Sequence, residues 1–158
     1  MKEKNETSSG GIVYRKVKSQ MSDVKCEWLI CQHSQHKGWT FPKGLIGDKD
    51  SDESKESAAL REVEEEGGIK AKIIHPQPVI TKYSYHWRGS PHGKTSKENF
   101  MVHKTVYYYL MEYISGDPKD HDWEMMDAKF VPEEEVKKIL TFPSDKGAFE
   151  EILCLVKK

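Results

Sequence analysis

Residues 39–69 read WTFPKGLIGDKDSDESKESAALREVEEEGGI. Within this stretch, 53–66 consists of strong helix formers with no Gly or Pro, which predicts a helix. Asp52 or Ser51 is placed to cap its start. Gly67-Gly68 is placed to close its end, because glycine enters the left-handed conformation at little cost. On a helix advancing about 100° per residue, Glu62, Glu65 and Glu66 share an arc of roughly 100°. Three carboxylates on one stripe repel each other unless something positive lies between them. Hard divalent cations that prefer oxygen ligands, Mg²⁺ or Mn²⁺, relieve that repulsion. Ala58 and Ala59, one turn earlier, leave room for a bulky anion, while Leu60 and Val63 lie on another side and are free to anchor the helix to a sheet. An acidic run on a helix is by itself more often a solvated face than a site. The flanking residues shift that balance.

Working outward, 11–17 and 24–32 read as strands joined by a turn at 20–23. Residues 39–44 form a short extended piece stopped by Pro42 and Gly44. One or two strands fall within 69–86, punctuated by Pro76 and Pro78. The strongest strand is 100–114, and 123–131 is a final one. Between strands, 88–98 is a long polar loop carrying Arg88, His92, Lys94 and Lys97, either a basic lid over a polyphosphate or simply a surface loop. A helix is expected at 132–140 with Pro132 in its first turn. Ser144 or Asp145 would cap a last helix that carries Phe149, Ile152, Leu153 and Val156 on one face. Residues 1–8 are expected to be a flexible tail and 9–158 a single domain of α+β class, an α/β/α sandwich around a mixed sheet.

The 158 residues suit one domain. Hydrophobic residues make up 36% and charged residues 32%, with a net charge of −1. That balance excludes a strongly basic, sequence-blind nucleic-acid binder. No apolar run approaches the roughly 18 residues of a membrane span, and the polar start offers no secretory signal. Cys26, Cys31 and Cys154 form no CxxC pair and read as reduced thiols of a cytoplasmic protein.

Gly47, Glu53, Arg61-Glu62-Val63, Glu65-Glu66 and Gly68-Ile69 together match every fixed position of the signature of the Nudix hydrolases. The chain resembles that family, and Trp39-Thr-Phe-Pro-Lys-Gly44 is similar to the usual lead-in to the signature. One departure stands out. In relatives the lead-in glycine is generally the first glycine of the signature, whereas here Gly44 precedes Gly47 by three residues. The resemblance implies an α/β/α sandwich and a metal-dependent pyrophosphohydrolase. It implies that Glu62, Glu65 and Glu66 ligate Mg²⁺ (or Mn²⁺), with the carbonyl of Gly44 as a further ligand; the similarity of residues 122–130 to diadenosine tetraphosphate hydrolases adds Glu124 as a fourth carboxylate near the metals, an exposed acid at a strand start being its competing role. One glutamate would help deprotonate the attacking water, Arg61 would hold a carboxylate in place, and Glu53 would support the junction of loop and helix.

The lead-in and the strand His103-Lys-Thr-Val-Tyr-Tyr-Tyr-Leu110 resemble those of diadenosine tetraphosphate hydrolases. By that resemblance Lys43 and Lys104 contact phosphates, and Tyr83, Tyr85 or Tyr107 stacks on an adenine. The histidines are not spaced like metal ligands and most read as solvated, but His36, in the loop before the signature, is placed to approach a phosphate. Core packing is the competing role for each tyrosine, and discouraging edge pairing the competing role for Lys104. The expected partner is a small-molecule nucleotide, with no membrane and no DNA, and the chain is expected to act as a monomer or weak dimer. Alternatives are another nucleoside diphosphate derivative (an oxidised dNTP, an RNA 5′ end, a diphosphoinositol phosphate) or a non-catalytic nucleotide sensor. Against the sensor, no glutamate of the signature is missing.

Overall fold

The computed structural model describes residues 2–18, 24–47, 50–88 and 99–157. Within them eight strands form one mixed sheet. The strands are β1 (Lys2–Lys18), β2 (Val24–His33), β3 (Trp39–Thr40), β4 (Lys43–Leu45), β5 (Ile69–Ile73), β6 (Val79–Arg88), β7 (Asn99–Gly116) and β8 (Met125–Pro132). The helices are α1 (Lys55–Gly67), α2 (Glu133–Ile139) and α3 (Pro143–Val156), and a short 3₁₀ turn covers Pro118–Asp120.

β1 is the spine. It runs parallel to β7 from Lys2↔Phe100 to Tyr14↔Glu112 and antiparallel to β2 from Tyr14↔Trp28 to Lys18↔Val24. It also pairs antiparallel with β4 at Ser9↔Gly44 and Gly10↔Lys43. β5 and β6 both pair with β7, while β3 and β8 both pair with β2.

Because successive strand residues point to opposite faces, this sheet has two cores. Val13, Leu29, Tyr109 and Met111 pack with Ala59 and Val63 of α1. Ile12, Trp28, Ile30 and Tyr108 pack on the other side with Val136 of α2 and Phe149, Ile152 and Leu153 of α3. Trp28 meets Phe149 edge to face, with ring centres 5.1 Å apart. The result is the expected α/β/α layering.

Three expectations are corrected. The expected tail at 1–8 is strand from Lys2 onward. Its residues, KEKNET, have little β propensity and no apolar alternation, so nothing local announces the strand; the long-range ladder with β7 creates it. The cap of α1 is Ser54, whose Oγ accepts from the Ser57 amide at 3.1 Å, not Asp52 or Ser51. Glu53 lies outside the helix, one residue before this cap, and its carboxylate is bound elsewhere, as described below. The last helix begins at Pro143 with no side-chain cap. Asp145 is 2% exposed. It accepts from the Thr40 hydroxyl at 2.7 Å and the Tyr108 hydroxyl at 2.8 Å. The expected turn at 20–23 and most of the loop at 88–98 lie outside the described residues.

Asp145 thus joins α3 to both β3 and β7. Asp145→Ala leaves two buried hydroxyls without their acceptor and is expected to cost about 3 kcal/mol in denaturant unfolding. A loss below about 1 kcal/mol would show that this junction contributes little.

Candidate active site

The stripe on α1 is real and most of it is covered. Glu62 is 6% exposed and Glu66 5%, whereas Glu65 is half-buried. α1 turns this stripe toward β4 because Val63, between the acids, is drawn into the apolar core beneath the sheet. The helix ends at Gly68, where φ is +73° and an added Cβ would press on the backbone of Asp117 and His121.

Arg61 organises the acids. Its Nε and Nη2 donate to the two oxygens of Glu53 at 2.7 and 2.9 Å, a bidentate contact. Its Nη1 donates to Glu62 at 2.8 Å and to Glu65 at 3.2 Å. Glu53 in turn accepts from the amide of Gly47 at 3.2 Å. That pair pulls the Glu53 carboxyl below its ordinary range, chiefly through the Arg61 hydrogen bond.

Glu66 receives one main-chain donor, the amide of Lys43, at 3.1 Å. Burial pushes its carboxyl up to about 9; the Lys43 bond opposes this, while Glu62, Glu124 and Asp122 add to it. Burial likewise pushes Glu62 up to about 7, with Arg61 opposing and Glu65 and Glu124 adding. Gly44 lies against this acid, and a Cβ there would overlap the Glu62 carboxylate. The lead-in glycine is therefore demanded by close approach.

The three-residue spacing between Gly44 and Gly47 has a structural account. The Ile46 amide binds the Thr7 carbonyl at 3.1 Å, and Gly47 turns the chain with φ +78° so that its amide meets Glu53. Both glycines are used, at different ends of the loop.

Glu124 belongs to the same neighbourhood, since its charge acts on Glu62, Glu66 and His33. Its backbone carbonyl accepts from Ser34 at 2.9 Å. The preceding Asp122 amide binds the carbonyl of Glu65 at 2.8 Å, which docks this loop onto the end of α1.

Among the described residues, no three His, Cys, Asp or Glu side chains are already gathered as a metal cluster. Arg61 instead holds Glu62 and Glu65. The donor set nevertheless fits a hard divalent cation. It offers oxygen only, and burial penalises two of its carboxylates in their charged form, a penalty that a cation offsets.

The other expected residues divide by face. Tyr83 and Lys104 are directly opposed on β6 and β7, and Tyr85 shares their face. Lys104 lies near Lys43, Glu62 and Glu66; burial, then Lys43, hold its ammonium below the ordinary lysine range. Lys43 aims its Nζ at the Thr40 hydroxyl, 3.2 Å away. Tyr107 does not join Tyr83, because odd positions of β7 point to the α1 side. The Lys55 ammonium lies 4.4 Å from the centre of its ring. His36 is exposed, stacks on His33 with ring centres 4.2 Å apart, and accepts from the Gly38 amide at 3.0 Å. Burial, then neighbouring His33 and Lys43, push it below the usual imidazole range.

Sequence reasoning missed the Lys43 amide, Asp122 and Glu6. A main-chain donor leaves no mark in a residue alphabet. Glu6 lies in the supposed tail, yet its Oε1 accepts from the Tyr85 hydroxyl at 3.0 Å.

A sheet sandwiched by helices, with buried carboxylates and lysines at one edge, is suited to metal-assisted chemistry on phosphates. The pattern that defines the NUDIX domain matches residues 21–152, and the chain belongs to the Nudix family. A Mycobacterium tuberculosis protein that bears the mutator name MutT4 is 29% identical over 160 residues, which span 100% of this chain. The chain covers 58% of the length of that relative. Among solved structures, the binary complex of a C. elegans Ap4A hydrolase superposes with a TM-score of 0.64 at 21% identity, covering 96% of this chain and 98% of that one. The MutT protein from Methanosarcina mazei Go1 gives a TM-score of 0.60 at 20% identity, covering 100% and 99%. At these identities the likeness is one of fold. Among the described residues no helix is long and apolar enough to cross a membrane.

Proposed function

We propose that the chain is a divalent-metal-dependent pyrophosphohydrolase whose preferred substrate is diadenosine tetraphosphate, cleaved to ATP and AMP. The observation that carries this reading is the pair Glu62 and Glu66. Both are buried against Gly44 and the Lys43 amide, and their charged forms are costly without a cation. Mg²⁺ is the fitting ion, and Glu62, Glu65, Glu66, Glu124 and the Gly44 carbonyl are the residues to hold it. When bound, the metal neutralises phosphate oxygens and lowers the pKa of water.

In this reading the chain's own residues divide the work. Arg61, locked by Glu53, keeps the carboxylates of Glu62 and Glu65 oriented. Lys43 and Lys104 offset the charge of the phosphate chain. A carboxylate of the stripe accepts the proton of the attacking water. Oxygen bonds to a phosphorus, the bridging P–O bond breaks, and the leaving phosphate departs on the other nucleotide. Tyr83, beside Lys104, offers a ring for a purine; such stacking is worth about 1–3 kcal/mol per base.

The test is a substrate panel with product analysis in ¹⁸O water. Equimolar ATP and AMP from diadenosine tetraphosphate, with the label in one product, are expected. The mutator name of the mycobacterial relative keeps an oxidised deoxynucleoside triphosphate in the panel as the second reading. Turnover of that compound with none of dinucleoside polyphosphates would remove the preferred substrate.

A further inference from the structure

Lys43 is tied at both ends. Its amide donates to Glu66 on the acidic stripe at 3.1 Å, and its Nζ donates to the Thr40 hydroxyl at 3.2 Å. Thr40 Oγ1 in turn donates to Asp145 Oδ2 at 2.7 Å. The Phe41 carbonyl stands 3.4 Å from the same hydroxyl, a longer and uncharged alternative. Thr40 is 4% exposed and Asp145 2%. Among the described residues, the side-chain hydrogen bonds to the Asp145 carboxylate come from the hydroxyls of Thr40 and Tyr108, both neutral.

A buried carboxylate is costly without a positive charge near it. The ammonium of Lys43 supplies one, across a single hydroxyl. That hydroxyl has one proton and two lone pairs. Asp145 takes the proton, so Thr40 meets Lys43 as an acceptor. The direction of the chain from Lys43 through Thr40 to Asp145 is thereby fixed.

A lysine ammonium is a point charge on a flexible four-carbon stem. Left free, it would be drawn to the acids beside its own amide and would occupy the place of a metal ion. Thr40 instead takes one of its three N–H groups and leaves two to point elsewhere. Held there, the ammonium is close enough to Lys104, His33 and His36 for its charge to act on all three.

We propose that Thr40 is a positioning residue for Lys43: its hydroxyl, oriented by Asp145, holds the ammonium where a phosphate chain passes and off the carboxylates of the stripe. The inference rests on the pyrophosphohydrolase reading above, in which Lys43 meets the phosphates. Thr40 acts only through Lys43. A hydroxyl that served merely to join β3 to α3 would be indifferent to the side chain at position 43.

The test is a double-mutant cycle, which isolates the coupling of the two residues. Calorimetric Kd values are measured in Mg²⁺ with methylenediphosphonate, a pyrophosphate analogue whose P–C–P bridge resists hydrolysis. The four proteins are the wild type, Thr40→Val, Lys43→Met and the double variant. Thr40→Val is expected to raise Kd about fivefold, the scale of one hydrogen bond. In the Lys43→Met background the same change should leave Kd as it is. Thr40→Ser, which keeps the hydroxyl, should bind as the wild type does. An unchanged Kd in Thr40→Val overturns the proposal, as does equal weakening in both backgrounds, the mark of a plain junction between β3 and α3. An unchanged Kd in Lys43→Met also overturns it, because Lys43 then holds no phosphate. Thr40→Ala completes the cycle if Thr40→Val does not fold. Failure of the hydrolase reading appears separately, as absence of turnover by a protein that shows the cycle in full.

Discussion

Glu66→Gln is expected to lower kcat on a dinucleoside tetraphosphate by about 10³-fold, the scale of roughly 4 kcal/mol of transition-state stabilisation. The amide has the shape of the acid and an oxygen for the Lys43 amide, so local structure is retained. It lacks the negative charge that a hard cation requires. The same change should leave the melting temperature of the metal-free protein at pH 8 equal or higher. Burial pushes the Glu66 carboxyl up to about 9, so the ionised form is a cost to the native state that the amide does not carry. Lost activity in a fold at least as stable separates a catalytic role from a structural one. Full activity in this variant would remove Glu66 from the chemistry.

The second large effect is metal removal. Chelation with EDTA should abolish turnover, and the metal-free protein should lose stability as pH rises from 7 to 8.5. The sign follows from linkage. Glu66 keeps its proton in the native state up to about 9 and Glu62 up to about 7, while an unfolded glutamate releases it near the ordinary 4.5. Above that value the native state binds more protons than the unfolded one, so stability is full at low pH and declines through the native pKa values. His33 and His36, held below their ordinary range, act in the opposite sense near pH 6. The buried thiol of Cys31, raised well above its usual value, acts only above about 9. The interval from 7 to 8.5 therefore reports mainly on the two glutamates. Mg²⁺ should restore the lost stability, and more at pH 8.5 than at pH 7, because the ion and the proton compete for the same oxygens. Melting curves with and without Mg²⁺ check this. A metal-free protein whose stability rises across the interval would contradict the placement of these acids.

The acidic stripe and its helix were legible because every contributing signal is local: helix formers, a glycine stop, and charges at spacings of one, three and four. The apolar alternation that splits Ile12 from Val13 and Tyr108 from Tyr109 between two cores was also readable in outline. What escaped was non-local. The first residues of β1 become strand only through β7, a hundred residues away in the chain, so Glu6 looked like solvent-facing tail. Asp145 looked like a helix cap because acids near helix starts commonly are. Its two hydroxyl partners, on β3 and β7, lie in segments whose proximity no local pattern encodes. The tyrosines followed the same rule: the repeat Tyr107-Tyr108-Tyr109 says that alternate rings part company, but only the register with β6 tells which face meets Lys104.

The loop from Gly44 to Gly47 divides its duties between the two glycines at its ends. Gly44 yields space to Glu62, and Gly47 offers its amide to Glu53. The Gly47 end is tied to α1 through Glu53 and Arg61, and the residues between the glycines are held to β1, Leu45 opposite Ser8 and Ile46 through the Thr7 carbonyl. Loop length here is consequently set by the first strand as well as by the acids, and an insertion at Leu45 or Ile46 would break the pairing with β1 before it reached the stripe.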